Sequence, residues 1–209
     1  AAVHAARLLL DGEKAAYAVC RPPGHHAFSD MAGGFCYLNN TAIAAQLLRR
    51  AHERVAILDV DLHHGNGTQE IFYRRGDVFT VSIHADPERF YPFFWGYANE
   101  TGAEEGEGCN QNFPLPRGSG DAEFLVELSA AIERIQQFAP GALVVALGLD
   151  AFEGDPFGGL CVSTRGFGEI ARKIAAELPL PTLLVQEGGY LCDELGDNLR
   201  SFLEGFGGA

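Results

Sequence analysis

The sequence is poor in positive charge, in paired cysteines and in long apolar runs, and each shortage removes a class of function. Fifteen Lys and Arg stand against 28 Asp and Glu in 209 residues, a formal net charge of −13. That balance argues against a surface that tracks nucleic-acid phosphates and permits attraction of cationic substrates through the summed field. It is equally ordinary for a soluble protein. The five cysteines, Cys20, Cys36, Cys109, Cys161 and Cys192, stand singly with no C-x-x-C pair. Neither a disulfide framework nor a cysteine zinc site is indicated, and a reducing, cytoplasmic setting is expected. No apolar run approaches the ~20 residues that span a bilayer. The opening AAVHAARLLLDGEKAA lacks the basic and apolar regions of a signal peptide, so no membrane partner is expected. It starts at Ala1 rather than Met, directly on a helical pattern, which suggests that an N-terminal portion is missing.

What is present is a hydrophobic content of 47%, enough for a single domain over residues 1–209 with one sizeable core. Residues 1–11 carry a helical rhythm, and AAYAVC (15–20) is a short strand-like run ending at Arg21-Pro22-Pro23-Gly24. Leu38 to Ala51 reads as a helix, followed by the nearly continuous apolar run RVAILDVD (54–61) typical of a central parallel strand. VFTVSIHA (78–85), ALVVALGLD (142–150) and TLLVQEGG (182–189) are further strands. Helices are expected from about Asp121, from a cap at Ser163 or Thr164 to Pro179, and from Glu194 to Phe206. The Gly-, Pro- and aromatic-rich stretch from Asp86 to Gly120 reads as a long functional surface loop. This alternation predicts an α/β, three-layer αβα domain around a mainly parallel sheet.

Open parallel sheets bind ligands beyond the carboxyl ends of their strands, and there the ionisable residues collect. Gly24-His25-His26 follows the first strand, Asp59-Val60-Asp61-Leu62-His63-His64 closes the second, Ser82-Ile83-His84 the third, Asp150 the fourth, and Tyr190 follows the last. In Asp61-Leu62-His63 the period of two puts a carboxylate and an imidazole on one face. Asp150 from a neighbouring strand completes three ligands, leaving a fourth position open as catalytic zinc requires. A lone D-x-H would as readily be a salt-bridged cluster at a sheet edge, but D-x-D-x-H-H followed by Gly-Asn-Gly is far more specific. The turn at Pro22-Pro23-Gly24 presents two imidazoles suited to proton transfer near neutral pH. Gly188 and Gly189 allow a sharp turn that brings a phenol toward the same place, where a donor for a developing oxyanion is needed.

The strings PPGHHAFSDMAGGFCYLNN, ILDVDLHHGNGTQEIFY, TVSIHAD, GLDAFEGDPFGG and QEGGY together resemble the histone deacetylase superfamily from about Ala15 to the C-terminus. HHGNGTQ with Asn66 is similar to the class II-related branch, and RFYPFFWGYANETGAEEGEG to the acetylpolyamine amidohydrolases. The resemblance implies an arginase/deacetylase-like fold with Zn2+, or Fe2+ in the cell, on Asp61, His63 and Asp150, and water activated by the metal attacking an acetyl carbonyl. It implies His26 as general base and then acid, His25 as its electrostatic partner held by Asp59, Asn66 as the group orienting His26, and Tyr190 as the carbonyl-polarising donor. Asp155 in Gly154-Asp155-Pro156 is left structural. Phe35 and Tyr91 resemble the aromatic walls of a tunnel for an acylated methylene chain, with Gly34 and Phe157 beside them. A structural K+ is implied at Asp59, Asp61 and Ser82 with the carbonyls of His63 and Ile83.

Family domains carry a substantial segment before the PPGHH strand, whereas here about twenty residues precede His25. If nothing precedes Ala1, one tunnel wall and the usual dimer contacts of the polyamine subfamily are expected to be missing; a homodimer is otherwise the partner that the resemblance implies. The favoured reading is a zinc deacetylase of a small acetylated amine, acetylpolyamine ahead of acetyl-lysine. Its rivals are an arginase-like ureohydrolase, which needs a second metal, and a deacetylase-like binding module without turnover.

Overall fold

The computed structural model describes residues 1–208. Strands β1 (Ala15–Ala18), β2 (Val55–Asp59), β3 (Val78–Ala85), β4 (Asn110–Leu115), β5 (Ala142–Leu147) and β6 (Thr182–Gln186) form one sheet in the order β1-β6-β5-β2-β3-β4. Every neighbouring pair is parallel. The connecting helices are α1 (Ala2–Leu10), α2 (Asn40–Leu48), α3 (Asn66–Phe72), α4 (Asp121–Phe138), α5 (Thr164–Glu177) and α6 (Leu195–Gly207).

Alternation along each strand divides the apolar residues between two layers. On β5, Ala142 and Val144 join Val55, Ile57, Leu183 and the buried faces of α1 and α2 in one layer. Leu143, Val145 and Leu147 join Leu58, Val81, Leu184 and the faces of α4, α5 and α6 in the other. Both faces of the sheet are thus covered, which is why its central strands read as unbroken apolar runs. The expected three-layer α/β architecture is what forms.

Helix starts follow local chemistry. Asn39 accepts a hydrogen bond from the Ala42 amide and starts α2 two residues later than the apolar pattern suggested. Ser163 caps α5 by accepting from the Gly166 amide at 3.0 Å, and its hydroxyl donates to Asp121 at 2.6 Å, joining the starts of α5 and α4.

Two elements depart from the sequence reading. The stretch Asp86 to Gly120, expected to be a loop throughout, contains β4, paired with the outer side of β3. Its sequence NQNFPL disguises it, because Asn110 and Asn112 occupy the buried positions and Pro114 is tolerated only where one side of the strand lacks a ladder. Helix α3 is hidden by Gly65 and Gly67. A Cβ on Gly67 would lie 2.3 Å from the Ala27 carbonyl oxygen, so helix propensity there gives way to close packing under the histidine turn.

Arg49 at the end of α2 and Arg75 ahead of β3 both grip Asp77, at 2.6 and 2.7 Å. Hydrogen bonds from Arg75, outweighing partial burial and joined by Arg49, hold the Asp77 carboxyl at about 2, against about 3.9 in an unfolded chain. A depressed folded pKa contributes stability above the unfolded value, lost as pH falls through the folded one. Denaturation midpoints are therefore expected to drop between about pH 4 and pH 2, and Asp77→Asn to flatten that segment. An unaltered acid profile in the variant would contradict the assignment.

Candidate active site

Strand order does the first part of the assembly, because β1, β6, β5 and β2 are successive neighbours and their carboxyl ends open on one crevice. From β2 come Asp59, Asp61 and His63, from β5 Asp150, from β6 Glu187 and Tyr190, and from β1 the turn bearing His25 and His26.

Asp61, His63 and Asp150 are buried, and one ligand atom from each lies within 4.8 Å of the other two. His63 Nδ1 is 3.0 Å from Asp150 Oδ2 and 3.4 Å from Asp61 Oδ1. Backbone amides brace the carboxylates: Asp61 accepts from the His63 and Gly188 amides at 2.8 and 2.7 Å, and Asp150 from the Leu62 amide at 3.0 Å. This packing requires glycine on both flanks. A Cβ on Gly148 would fall 2.1 Å from Asp61 Oδ2, and one on Gly188 2.3 Å from Asp150 Oδ2.

The electrostatics point to a cation. Burial, then the charge of Asp61, raises Asp150 to about 6. Burial would lower His63, but its hydrogen bonds to Asp150 and Asp61 lift it to about 10. Burial would likewise raise Asp61, yet the neighbouring His25 and His63 hold it well below the usual carboxylate range. A single imidazole proton serves one carboxylate at a time, whereas a divalent ion bonds all three groups. Zinc at 2.0–2.2 Å from tetrahedral ligands separates them by about 3.4 Å, in keeping with the 3.0 and 3.4 Å approaches of His63. The donor set fits zinc or Fe2+.

The two histidines, with rings 4.1 Å apart, sit in opposite environments. His25 Nδ1 lies 2.9 Å from Asp59 and its Nε2 3.7 Å from Asp61. Burial would depress it, but Asp61, Asp59 and Glu187 raise it well above the ordinary histidine value. His26 Nδ1 is 2.7 Å from Asn66 Oδ1. Burial, followed by the charge of His25, lowers it far below that value. With Nδ1–H donating to a neutral amide oxygen, His26 keeps an unprotonated Nε2, the tautomer being assigned from that contact. Gly34, at φ +54°, passes so close that a Cβ would be 2.2 Å from the His26 ring.

Tyr190 is half-buried, and burial, then the Asp61 and Asp150 charges, pushes its phenol far up, so it stays a protonated donor. Its ring meets Phe157 at 4.4 Å and Phe35 at 6.1 Å between centroids. Phe35 faces Phe157 at 6.3 Å, while Tyr91 stands edge-on to His26 at 4.8 Å. These aromatic groups line an approach to His63. Asp155 is not among the converging ligand atoms; its oxygens accept from the Phe157 and Tyr190 amides at 2.9 and 3.1 Å. Asp59 and Ser82 are register partners on β2 and β3, and the Ser82 hydroxyl lies 2.8 Å from His84 Nδ1. Ile83 turns its side chain into the α4 layer, leaving only its backbone near that pair.

The histone deacetylase domain model matches residues 1–206. The chain belongs to the histone deacetylase family. Within that family it is 55% identical to the acetylpolyamine amidohydrolase of Burkholderia pseudomallei over 206 residues, 99% of this chain and 60% of that protein. It is 50% identical to acetylpolyamine amidohydrolase 1 of Pseudomonas aeruginosa over 199 residues, 95% of this chain and 57% of that protein. A crystal structure of the Burkholderia pseudomallei acetylpolyamine aminohydrolase matches with a TM-score of 0.97 over 99% of this chain and 60% of the other. This member of the family therefore spans about 60% of the length of the relatives it matches.

Two neighbours of the deacetylase-like site escaped sequence reasoning. Phe90 stacks on His63 with rings 5.2 Å apart and 7° from parallel; nothing in RFYP distinguished it from Tyr91. Glu187 is buried and accepts from the Gly24 and His25 amides at 2.6 and 3.0 Å and from the Thr41 hydroxyl at 2.7 Å. Its signal was available, a charge ending an apolar strand. A surface groove of about 800 Å³ between α1, α2 and residues 28–32 holds none of the converging groups, so the chemistry is placed by the side chains and not by that cavity. Gly188→Ala, by forcing Asp150 and Asp61 apart, is expected to weaken Zn2+ binding at least about tenfold against a chromophoric chelator, much as loss of supporting groups does. Unchanged affinity in the folded variant would refute the packing argument.

Proposed function

We propose that residues 1–209 act as one catalytic unit of a metal-dependent deacetylase that hydrolyses the amide of a small acetylated amine in the cytoplasm, with acetylpolyamine ahead of acetyl-lysine. The observation that carries this reading is the convergence of Asp61, His63 and Asp150 within 4.8 Å, beside a histidine pair and a tyrosine in unlike electrostatic environments. The names of the two similar enzymes and the net charge of −13 favour a cationic amine. Among the described residues one cluster has metal-ligand spacing, which favours a one-metal deacetylase over a two-metal ureohydrolase.

A Zn2+ or Fe2+ ion on Asp61, His63 and Asp150 supplies, when bound, the Lewis acidity that activates water and polarises a carbonyl. The remaining steps belong to the chain. His26, neutral and with Nε2 free, takes a proton from the attacking water and returns it to the leaving amine. Asn66 holds the tautomer that makes this feasible, and an amide, unlike a carboxylate, does not stabilise the protonated ring in advance. His25, kept cationic by Asp59 and Asp61, offers positive charge beside the reacting carbonyl. Tyr190 donates its phenolic hydrogen to the oxyanion as the tetrahedral centre forms. Phe35 and Phe157 clasp the methylene chain, with Tyr91 and Gly34 on the histidine side. A K+ ion, if bound, would be held by Asp59, Asp61 and Ser82 with the carbonyls of His63 and Ile83, and would stiffen the strand end that carries Asp61 and His63.

Zinc-loaded protein is expected to release acetate from acetylputrescine and acetylspermidine faster than from an acetyl-lysine peptide, and chelator to abolish release. Tyr190→Phe should lower kcat by roughly 10²–10³, the scale of a lost oxyanion donor, with one metal ion still bound per chain. Hydroxamate binding without any acetate release would replace the hydrolase by a binding module. Activity that survives metal removal would sink the mechanism.

A further inference from the structure

Glu187 is the one buried carboxylate of the strand-end cluster that the proposed chemistry leaves without a task. It is 5% exposed, and a charge so placed is costly unless hydrogen bonds compensate it. Its partners are all donors from distant parts of the chain. Gly24 and His25, more than 160 positions away in sequence, direct successive amides at the same oxygen, Oε2, at 2.6 and 3.0 Å. Thr41, in the first turn of α2, donates to the other oxygen at 2.7 Å. The turn also packs tightly against the start of α2: a Cβ on Gly24 would lie 2.4 Å from the Asn40 amide nitrogen and 2.8 Å from the Leu38 carbonyl oxygen.

We propose that Glu187 is a positioning residue that sets the backbone of the His25-His26 turn relative to the β6 end carrying Tyr190, an inference that rests on the hydrolytic reading above. Two consecutive amides converging on one carboxylate oxygen fix the peptide plane ahead of His25, and with it the directions of both side chains. Each ring is held at Nδ1 as well, His25 by Asp59 at 2.9 Å and His26 by Asn66 at 2.7 Å. Because Glu187 is followed directly by Gly188, which braces Asp61, and then by Gly189 and Tyr190, one segment of chain references the two histidines, the proposed metal ligands and the phenol to one another. An apolar side chain would fill the same space at lower desolvation cost but would leave two buried amides without an acceptor.

The test compares Glu187→Met, Glu187→Gln and Thr41→Val with the unaltered zinc-loaded protein. A misplaced acid–base group costs up to ~100-fold in rate, so Glu187→Met is expected to lose roughly that factor in kcat while KM and hydroxamate affinity stay within about threefold. Glu187→Gln is expected to recover most of the loss, because its amide oxygen can accept from both backbone groups while the Thr41 hydroxyl reverses its role. A readout independent of turnover accompanies these: the histidine ring Nδ1–H signals seen by 15N NMR should move in Glu187→Met and keep their positions in Glu187→Gln. Met and wild-type proteins with the same kcat and the same ring signals would overturn the proposal, as would equal losses in Gln and Met, which would indicate charge and not placement. If Glu187→Met does not fold, Thr41→Val removes one of the three bonds, and a kcat and ring signals indistinguishable from wild type would overturn it equally. An unaltered protein that releases no acetate defeats the hydrolase reading; the NMR comparison still decides the placement.

Discussion

Four carboxylates, Asp59, Asp61, Asp150 and Glu187, are buried at the ends of three adjacent strands, where the groups bonded to them are backbone amides, two histidines and a hydroxyl. Ionised groups are expensive to remove from water, and the rest of this end of the molecule is arranged around that cost. Gly65, Gly148 and Gly188 let main chain approach carboxylate oxygens closer than any side chain permits. Strand-end amides point inward as fixed dipoles. The remaining imbalance of charge at Asp61, His63 and Asp150 is one that a cation could offset.

The same charge pattern divides labour between side chains that look identical in sequence. His25 and His26 are consecutive, yet one faces carboxylates that raise its affinity for a proton, while the other faces the amide of Asn66 and has that affinity lowered by burial and by His25. Tyr190, pressed against Phe157 and near two carboxylates, keeps its hydrogen. Two like imidazoles and a phenol are thereby given unlike affinities for a proton by environment alone.

Beyond this polar floor the site becomes aromatic. Phe35 is 62% exposed and Phe157 48% exposed, so these rings form a rim and not a closed core. In the proposed reaction these flat faces would admit a slender methylene chain, and the net charge of −13 would favour a cationic ligand. Position in the sheet, electrostatic environment and rim shape are separate determinants, set respectively by strand order, by buried carboxylates and by loops.

Much of this was legible in one dimension. The unbroken apolar runs announced strands covered on both faces, Ser163 and Asp121 announced helix starts, and Asp61, His63, Asp150, His25, His26 and Tyr190 stood at strand ends where parallel sheets collect ligands. Those features are local, because period and capping depend on neighbours in sequence. Strand β4 was not legible, since Asn and Pro at a sheet edge imitate a loop, and neither was α3, whose glycines serve packing against the histidine turn. Phe90 and Glu187 also required three dimensions: a ring gains its role by lying parallel to His63, and a carboxylate by accepting amides from the far end of the chain. Sequence by itself determined which chemical groups are present and on which element each sits. Tertiary structure alone decided which of them share a low-dielectric space, and so how two adjacent histidines come to differ in proton affinity, because that depends on charges brought together across more than a hundred residues.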